Sequence, residues 1–235
     1  MGQTNIKVIG DNSNTTIFIA KQILDIFSEI FPFMEDKKII IYQAPHYEYP
    51  YCASDKSHIL ITAKSTYYCQ ISFQMAHELL HFIIPGNYNQ TIKNQRFEES
   101  LADMMSSYIL QILSDRWREN HLASYDLEYG INFSHYFNNE SEKIEAFEIG
   151  ELNSYNSELL NDFQSDPYKR EHLKFLALKM LPIFKEQPIL WQSILHLHRI
   201  SNFLTLNGIL DELSQKFPPA ASALKELNKA ILSHD

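Results

Sequence analysis

The chain carries the string His77-Glu78-Leu79-Leu80-His81, whose polar members are types that handle metals and protons. Its neighbours Met75, Ala76, Phe82, Ile83 and Ile84 are apolar, so the string reads as part of a mostly buried helix. At i and i+4 the two histidines lie one above the other on a single face. Two neutral imidazoles so placed can chelate one zinc ion, which lowers the pKa of a coordinated water to about 7. Glu78, one residue on, is placed to take that water's proton as it attacks a carbonyl. Two histidines on an apolar helix are costly to bury without partners, which weighs against a chance match.

A third ligand is offered downstream by the adjacent pair Glu98 and Glu99. Two histidines and one glutamate with an open fourth position describe a catalytic zinc site rather than a closed structural one. Helical phase puts Glu98 on the arc of Phe97, Leu101, Met105 and Ile109. Glu99 has Asp103 one turn along its own face, where a carboxylate can accept the free N–H of a ligating histidine and fix its tautomer. The corresponding partner of Glu98 would be Ala102.

HELLH followed by Glu99-Ser100-Leu101-Ala102-Asp103-Met104-Met105 resembles the gluzincin, or thermolysin-like, zinc metallopeptidases. The resemblance runs from His58 to Met105. It implies that His77, His81 and Glu99 bind one Zn2+ ion, that Glu78 is the general base, and that Asp103 hydrogen-bonds a ligating histidine. It also implies that the strand before the zinc helix lies along the cleft and pairs with the substrate backbone as an added strand. The G-x-M-x-N string of aminopeptidases of this type is absent, which points to an endopeptidase.

Other chemically capable residues have quieter readings. Cys69 would suit hydrolases that take a cysteine as third ligand, as deformylase-type enzymes do. It stands eight residues before His77, about 12 Å along the same helix, too far to share the ion. Cys52 reads as a small buried hydrophobe. His196 and His198 point to different faces of one helix, so both cannot join the site. His196, His198, Tyr88, Tyr108, His135 and Tyr136 all remain candidate donors to a developing oxyanion.

These residues need elements to hold them. Short apolar runs at 6–9, 38–43 and 58–63 read as strands, the last two rich in β-branched residues. Helical spacing of Ile19, Ile23, Ile26, Phe27 and Ile30 predicts a core-facing helix over 16–31 that ends before Pro32. The metal helix starts near Thr66 or Tyr67 and stops at Pro85-Gly86. Residues 44–55 and 87–95 read as irregular connections, and a second helix covers 97–113. Four helices follow the acidic stretch, over 168–184, 189–200, 204–217 and 220–232, with Pro182, Pro188 and Pro218-Pro219 as breaks. The expected fold is therefore α+β and mainly helical, a small edge sheet on a zinc-binding helix pair with a helical C-terminal half. It reads as one domain, with a zinc-site core at 1–115, an acidic irregular segment at 116–166 broken at Gly130, Asn138-Asn139 and Gly150, and a helical subdomain at 167–235.

Composition excludes several classes. The net charge of -9 is uneven: eleven acidic residues against Lys143 alone give residues 119–166 a charge of -10, leaving +1 elsewhere. Nucleic-acid binding needs clustered Lys and Arg, so it is not expected. An acidic run is ordinarily a solvated face. If it bordered the cleft, its field would favour basic substrates. No run of 18 apolar residues suggests a membrane span, and the polar start lacks a signal-peptide or myristoylation pattern. Two cysteines make no disulfide framework, which points to a reducing, cytoplasmic compartment. The expected function is hydrolysis of a peptide or protein substrate. The competing readings are a zinc amidase acting on a small molecule, and a non-catalytic zinc-containing protein that binds a partner through its acidic segment or helical C-terminal half.

Overall fold

Residues 5–10, 14–85, 95–119, 121–124, 126–142, 144–165, 170–201 and 204–232 are described by a computed structural model. Gly86, Tyr88 and nearly all of the connection expected at 87–95 lie outside these residues, as does the start of the helix expected at 168.

Four strands form one mixed sheet: β1 (Asn5–Gly10), β2 (Lys38–Gln43), β3 (Tyr51–Cys52) and β4 (Ile59–Ile61). Their order is β1-β2-β4-β3, with β1 and β4 parallel to β2 and β3 antiparallel to β4. In β2 the side chains alternate as a half-buried strand should. Ile39, Ile41 and Gln43 are buried, whereas Tyr42 is exposed. At the end of β1, Gly10 has φ +124°, and a Cβ there would drive into the carbonyl oxygen of Gln43, its register partner. Only glycine fits that close approach. β3 lies inside the stretch read as irregular, because two residues are too few to show an alternating pattern.

The sheet order corrects one implication of the family resemblance. β4 pairs with β2 on one side and, at Ile59 and Leu60, with β3 on the other, so those two residues offer no edge for an added substrate strand. Just beyond it, the backbone N–H groups of Thr62 and Ala63 both donate to the Gln74 side chain, each at 2.9 Å.

α1 (Asn14–Ile30) buries Ile19, Ile23 and Phe27 and exposes Lys21, Asp25 and Glu29, one face to the core and one to water. α2 (Tyr68–Ile83) carries HELLH, and α3 (Gln95–Arg116) carries ESLADMM. From Ser100 through Ser107 every residue of α3 is buried, so the helix has no single apolar arc.

The acidic stretch is more ordered than expected. It holds both α4 (Tyr129–Ser141) and α5 (Glu158–Ser165). Gly130, read as a breaker, sits in the first turn of α4, and a Cβ there would come within 2.9 Å of the Trp117 Cβ. It is a packing glycine, chosen for closeness rather than for a turn. The C-terminal half is helical, with α6 (Arg170–Glu186), α7 (Ile189–Ser193), α8 (Leu206–Lys216) and α9 (Ala221–Leu232), and Pro182, expected to be a break, lies inside α6 near its end. Where one helix was expected over 189–200, α7 gives way to a tighter 3-10 turn over Ile194–Arg199. Thr205 caps α8 by accepting from the Gly208 N–H at 3.2 Å.

The chain divides into two compact units. One comprises residues 1–82 and 105–142, the other 83–104 and 143–235. The first holds the sheet, α1, α4 and nearly all of α2, and the second holds the helices from α5 onward. α3 is continuous through residues 104 and 105, so its first turns are counted with the second unit and its last with the first. Among the described residues, no helix is long and apolar enough to cross a membrane.

Candidate metal centre

α2 starts after a turn in which Tyr67 N–H donates to the Lys64 carbonyl at 2.9 Å. Its middle and end are buried: Met75, Ala76, Leu79 and Leu80 are fully inside, and so are His77, Glu78 and His81 at 7%, 4% and 2% exposure. A helix whose polar triplet is buried with its apolar residues cannot be oriented by hydrophobicity alone. Two side chains fix it. Gln74, three residues before His77, accepts from Thr62 and Ala63 N–H and donates to Thr62 Oγ1 at 3.0 Å, tying α2 to the end of β4. At the other end, the Lys56 ammonium donates to the backbone carbonyl of His81. That carbonyl is in the last turn of α2, where helix carbonyls lack intrahelical partners and a cation is favoured. Lys56 reaches it from a tight turn in which it holds φ +54°, uncommon outside glycine and asparagine. α3 is bound to α2 by Ser106, whose hydroxyl donates to the Phe73 carbonyl at 2.9 Å.

On this frame His77, His81 and Glu99 come together. Each offers one ligand atom, and the three atoms lie within 4.8 Å of one another, the one such group among the described residues. The imidazole centroids of His77 and His81 are 4.9 Å apart at 66°, as i, i+4 neighbours on one face should be. Donors on a tetrahedral ion with bonds of about 2.0–2.1 Å stand about 3.4 Å apart, a spacing of the same order as that of the three atoms here. Two imidazoles and a carboxylate suit a borderline-soft divalent cation and leave a coordination position open. The group can therefore hold a metal ion. Glu98, its neighbour, is not part of it. Asp103, one turn after Glu99, is buried at 3% exposure.

The other sequence candidates have their own surroundings. Cys69 is buried near the start of α2, 3.8 Å from the Tyr129 hydroxyl, and burial pushes its thiol up to about 11, so it is an inert neutral group at ordinary pH. Cys52 is half-buried in β3 and bonded to the neighbouring Ala53 carbonyl. Tyr108 lies in the field of the Arg116–Glu29 ion pair, an exposed bidentate pair at 2.7 and 2.9 Å, and burial raises its phenol. His135 is exposed on α4 beside Tyr136, whose phenol burial pushes up to about 12. His196 stacks on Phe217 at 4.9 Å, with its pKa lowered by burial and by Arg199, while His198 Nδ1 meets the Leu195 carbonyl at 2.9 Å. These two are locally satisfied or packed helix histidines. Gln74 and Lys56 went unread in the sequence. An amide three residues before the first histidine of an apolar helix was the available signal for Gln74, and Asp55-Lys56-Ser57 signalled only a turn.

The acidic residues of 119–166 whose side chains are described are exposed or half-exposed, among them Glu128, Glu142, Glu145 and Glu148. They form a solvated surface, as charge runs ordinarily do.

Compared with models of known protein families, with curated proteins and with solved structures, the chain matches none.

Proposed function

We propose that the protein is a zinc-dependent metallopeptidase of the gluzincin kind. The observation that carries this reading is the convergence of His77, His81 and Glu99 with a buried carboxylate, Glu78, adjoining the first ligand. A zinc ion held by those three residues would acidify a water and polarise a carbonyl as a Lewis acid. Glu78 accepts the proton of the attacking water and returns it to the leaving amine. Asp103 receives the free N–H of a ligating imidazole and fixes which ring nitrogen faces the ion. Lys56 and Gln74 hold α2 in place and do not take part in the chemistry. A purely structural zinc site has no use for a base beside the metal, so the intact Glu78 favours an enzyme over an interaction protein.

The test is metal removal. Incubation with a zinc chelator should reduce cleavage of an unstructured peptide mixture at least tenfold, and one equivalent of Zn2+ should restore it. Cleavage that continues at full rate in metal-free protein would contradict the reading.

A further inference from the structure

A groove of about 420 Å³ opens along the N-terminal half of α2, against α4. Three rings line it, Tyr67, Tyr129 and Tyr136, and three amides, Gln70, Asn132 and Asn139. Cys69 and His135 complete the lining, which contains no carboxylate, ammonium or guanidinium. Its volume is within the range of small-molecule and side-chain sites.

By helical phase, Gln70 in the groove lies on the face of α2 that bears the two histidines. Gln70 precedes His77 by seven residues, which is two turns, within about 20° around the axis and about 10.5 Å along it. Phe73, one turn before His77, lies between them, and its ring meets that of Tyr136 at 6.0 Å. His81, His77, Phe73 and Gln70 thus form one line ending in the groove. An extended peptide advances about 3.3 Å per residue, so the span from His77 to Gln70 equals about three residues.

From this geometry we infer that the groove is a peptide subsite, which takes a large uncharged side chain about three residues from the bond that is cut. The inference rests on the metallopeptidase reading. The tyrosine rings supply faces for an aromatic or branched aliphatic side chain. The amides of Gln70, Asn132 and Asn139 each donate and accept, which is what a peptide group on either side of that residue needs. A charged side chain would give up water, and the lining holds no carboxylate, ammonium or guanidinium to pair with it. The buried Cys69 thiol and Tyr136 phenol stay neutral and do not alter that balance.

The experiment uses the zinc-loaded full chain on a mixture of random decapeptides, with cut sites mapped by mass spectrometry. Asn132 and Asn139 are exposed on α4, so Asn132→Trp and Asn139→Trp can obstruct the groove without disturbing the core, and thermal melts will check their folding. Wild type should enrich Phe, Tyr and Leu over Lys, Arg, Asp and Glu at least tenfold, at the third or fourth residue on one side of the cut. Both variants should reduce that enrichment below twofold and raise KM for the best single peptide about tenfold with kcat nearly unchanged. Cleavage with a preference for charged residues there, or a preference that both variants leave intact, overturns the subsite while the peptidase reading stands. If the zinc-loaded wild type cuts nothing, the peptidase reading fails instead. Calorimetry with the blocked pentapeptide acetyl-Ala-Ala-Phe-Ala-Ala-amide then decides the subsite. Binding that Asn132→Trp weakens tenfold supports it, and absence of binding overturns it.

Discussion

At the scale of single residues, the account depends on which carboxylate faces the histidines. Glu99, not its neighbour Glu98, belongs to the group within 4.8 Å. Glu99→Gln should abolish tight zinc binding, because an amide is a far weaker ligand than a carboxylate. Glu98→Gln should leave zinc content near one equivalent per chain. Asp103→Ala should weaken zinc binding about 10–100-fold, the usual effect of losing a partner that orients a ligand. Metal analysis of the three purified variants checks all of this, and loss of zinc at Glu98 with retention at Glu99 would reverse the assignment. The two histidines were legible because i, i+4 spacing on a helix is a local property. The choice between the glutamates was not legible from phase. The arc through Phe97, Leu101 and Met105 suggested Glu98, but α3 is buried all round from Ser100 through Ser107, so its apolar residues mark no particular side. The pairing of Glu99 with Asp103, which the family resemblance also supplied, was the informative signal.

At the scale of elements, the helix that carries the site is positioned by polar contacts that periodicity does not reveal. Gln74 satisfies two backbone N–H groups and one hydroxyl of the chain after β4. Gln74→Leu keeps the size and helix propensity but leaves Thr62 and Ala63 N–H unpartnered. An unsatisfied buried donor costs about 1–3 kcal/mol, so the variant should lose about 2 kcal/mol of stability in denaturant melts, these groups being partly buried. Zinc affinity should fall with it, since the same contact sets the height of His77 against the sheet. A variant as stable as wild type would show that α2 is held by packing alone. The strands at 38–43 and after 58 were readable because their β-branched runs are bounded by polar residues. The two-residue β3 was not, and neither was α4. Gly130, Asn138 and Asn139 look like breakers in sequence, yet Gly130 serves the contact with Trp117 and the asparagines lie within the last turn of the helix.

At the scale of the whole molecule, the mainly helical α+β class followed from the ratio of long helical patterns to short strands. The two compact units did not follow, because α3 belongs to both and compactness arises between segments distant in sequence. The charge of -10 over residues 119–166 describes a solvated surface, and the groove between α2 and α4 has no carboxylate in its lining. Net charge therefore says little about what the protein would hydrolyse. What unites these scales is the claim that Glu78 moves a proton beside a zinc held by His77, His81 and Glu99. The most direct measurement is turnover of Glu78→Gln against wild type on one peptide that wild type cleaves, with zinc content determined on the same samples. The substitution preserves shape and the three ligands, so zinc should remain near one equivalent while kcat falls by about 10²–10⁴-fold. Near-full turnover at full zinc occupancy would contradict the account.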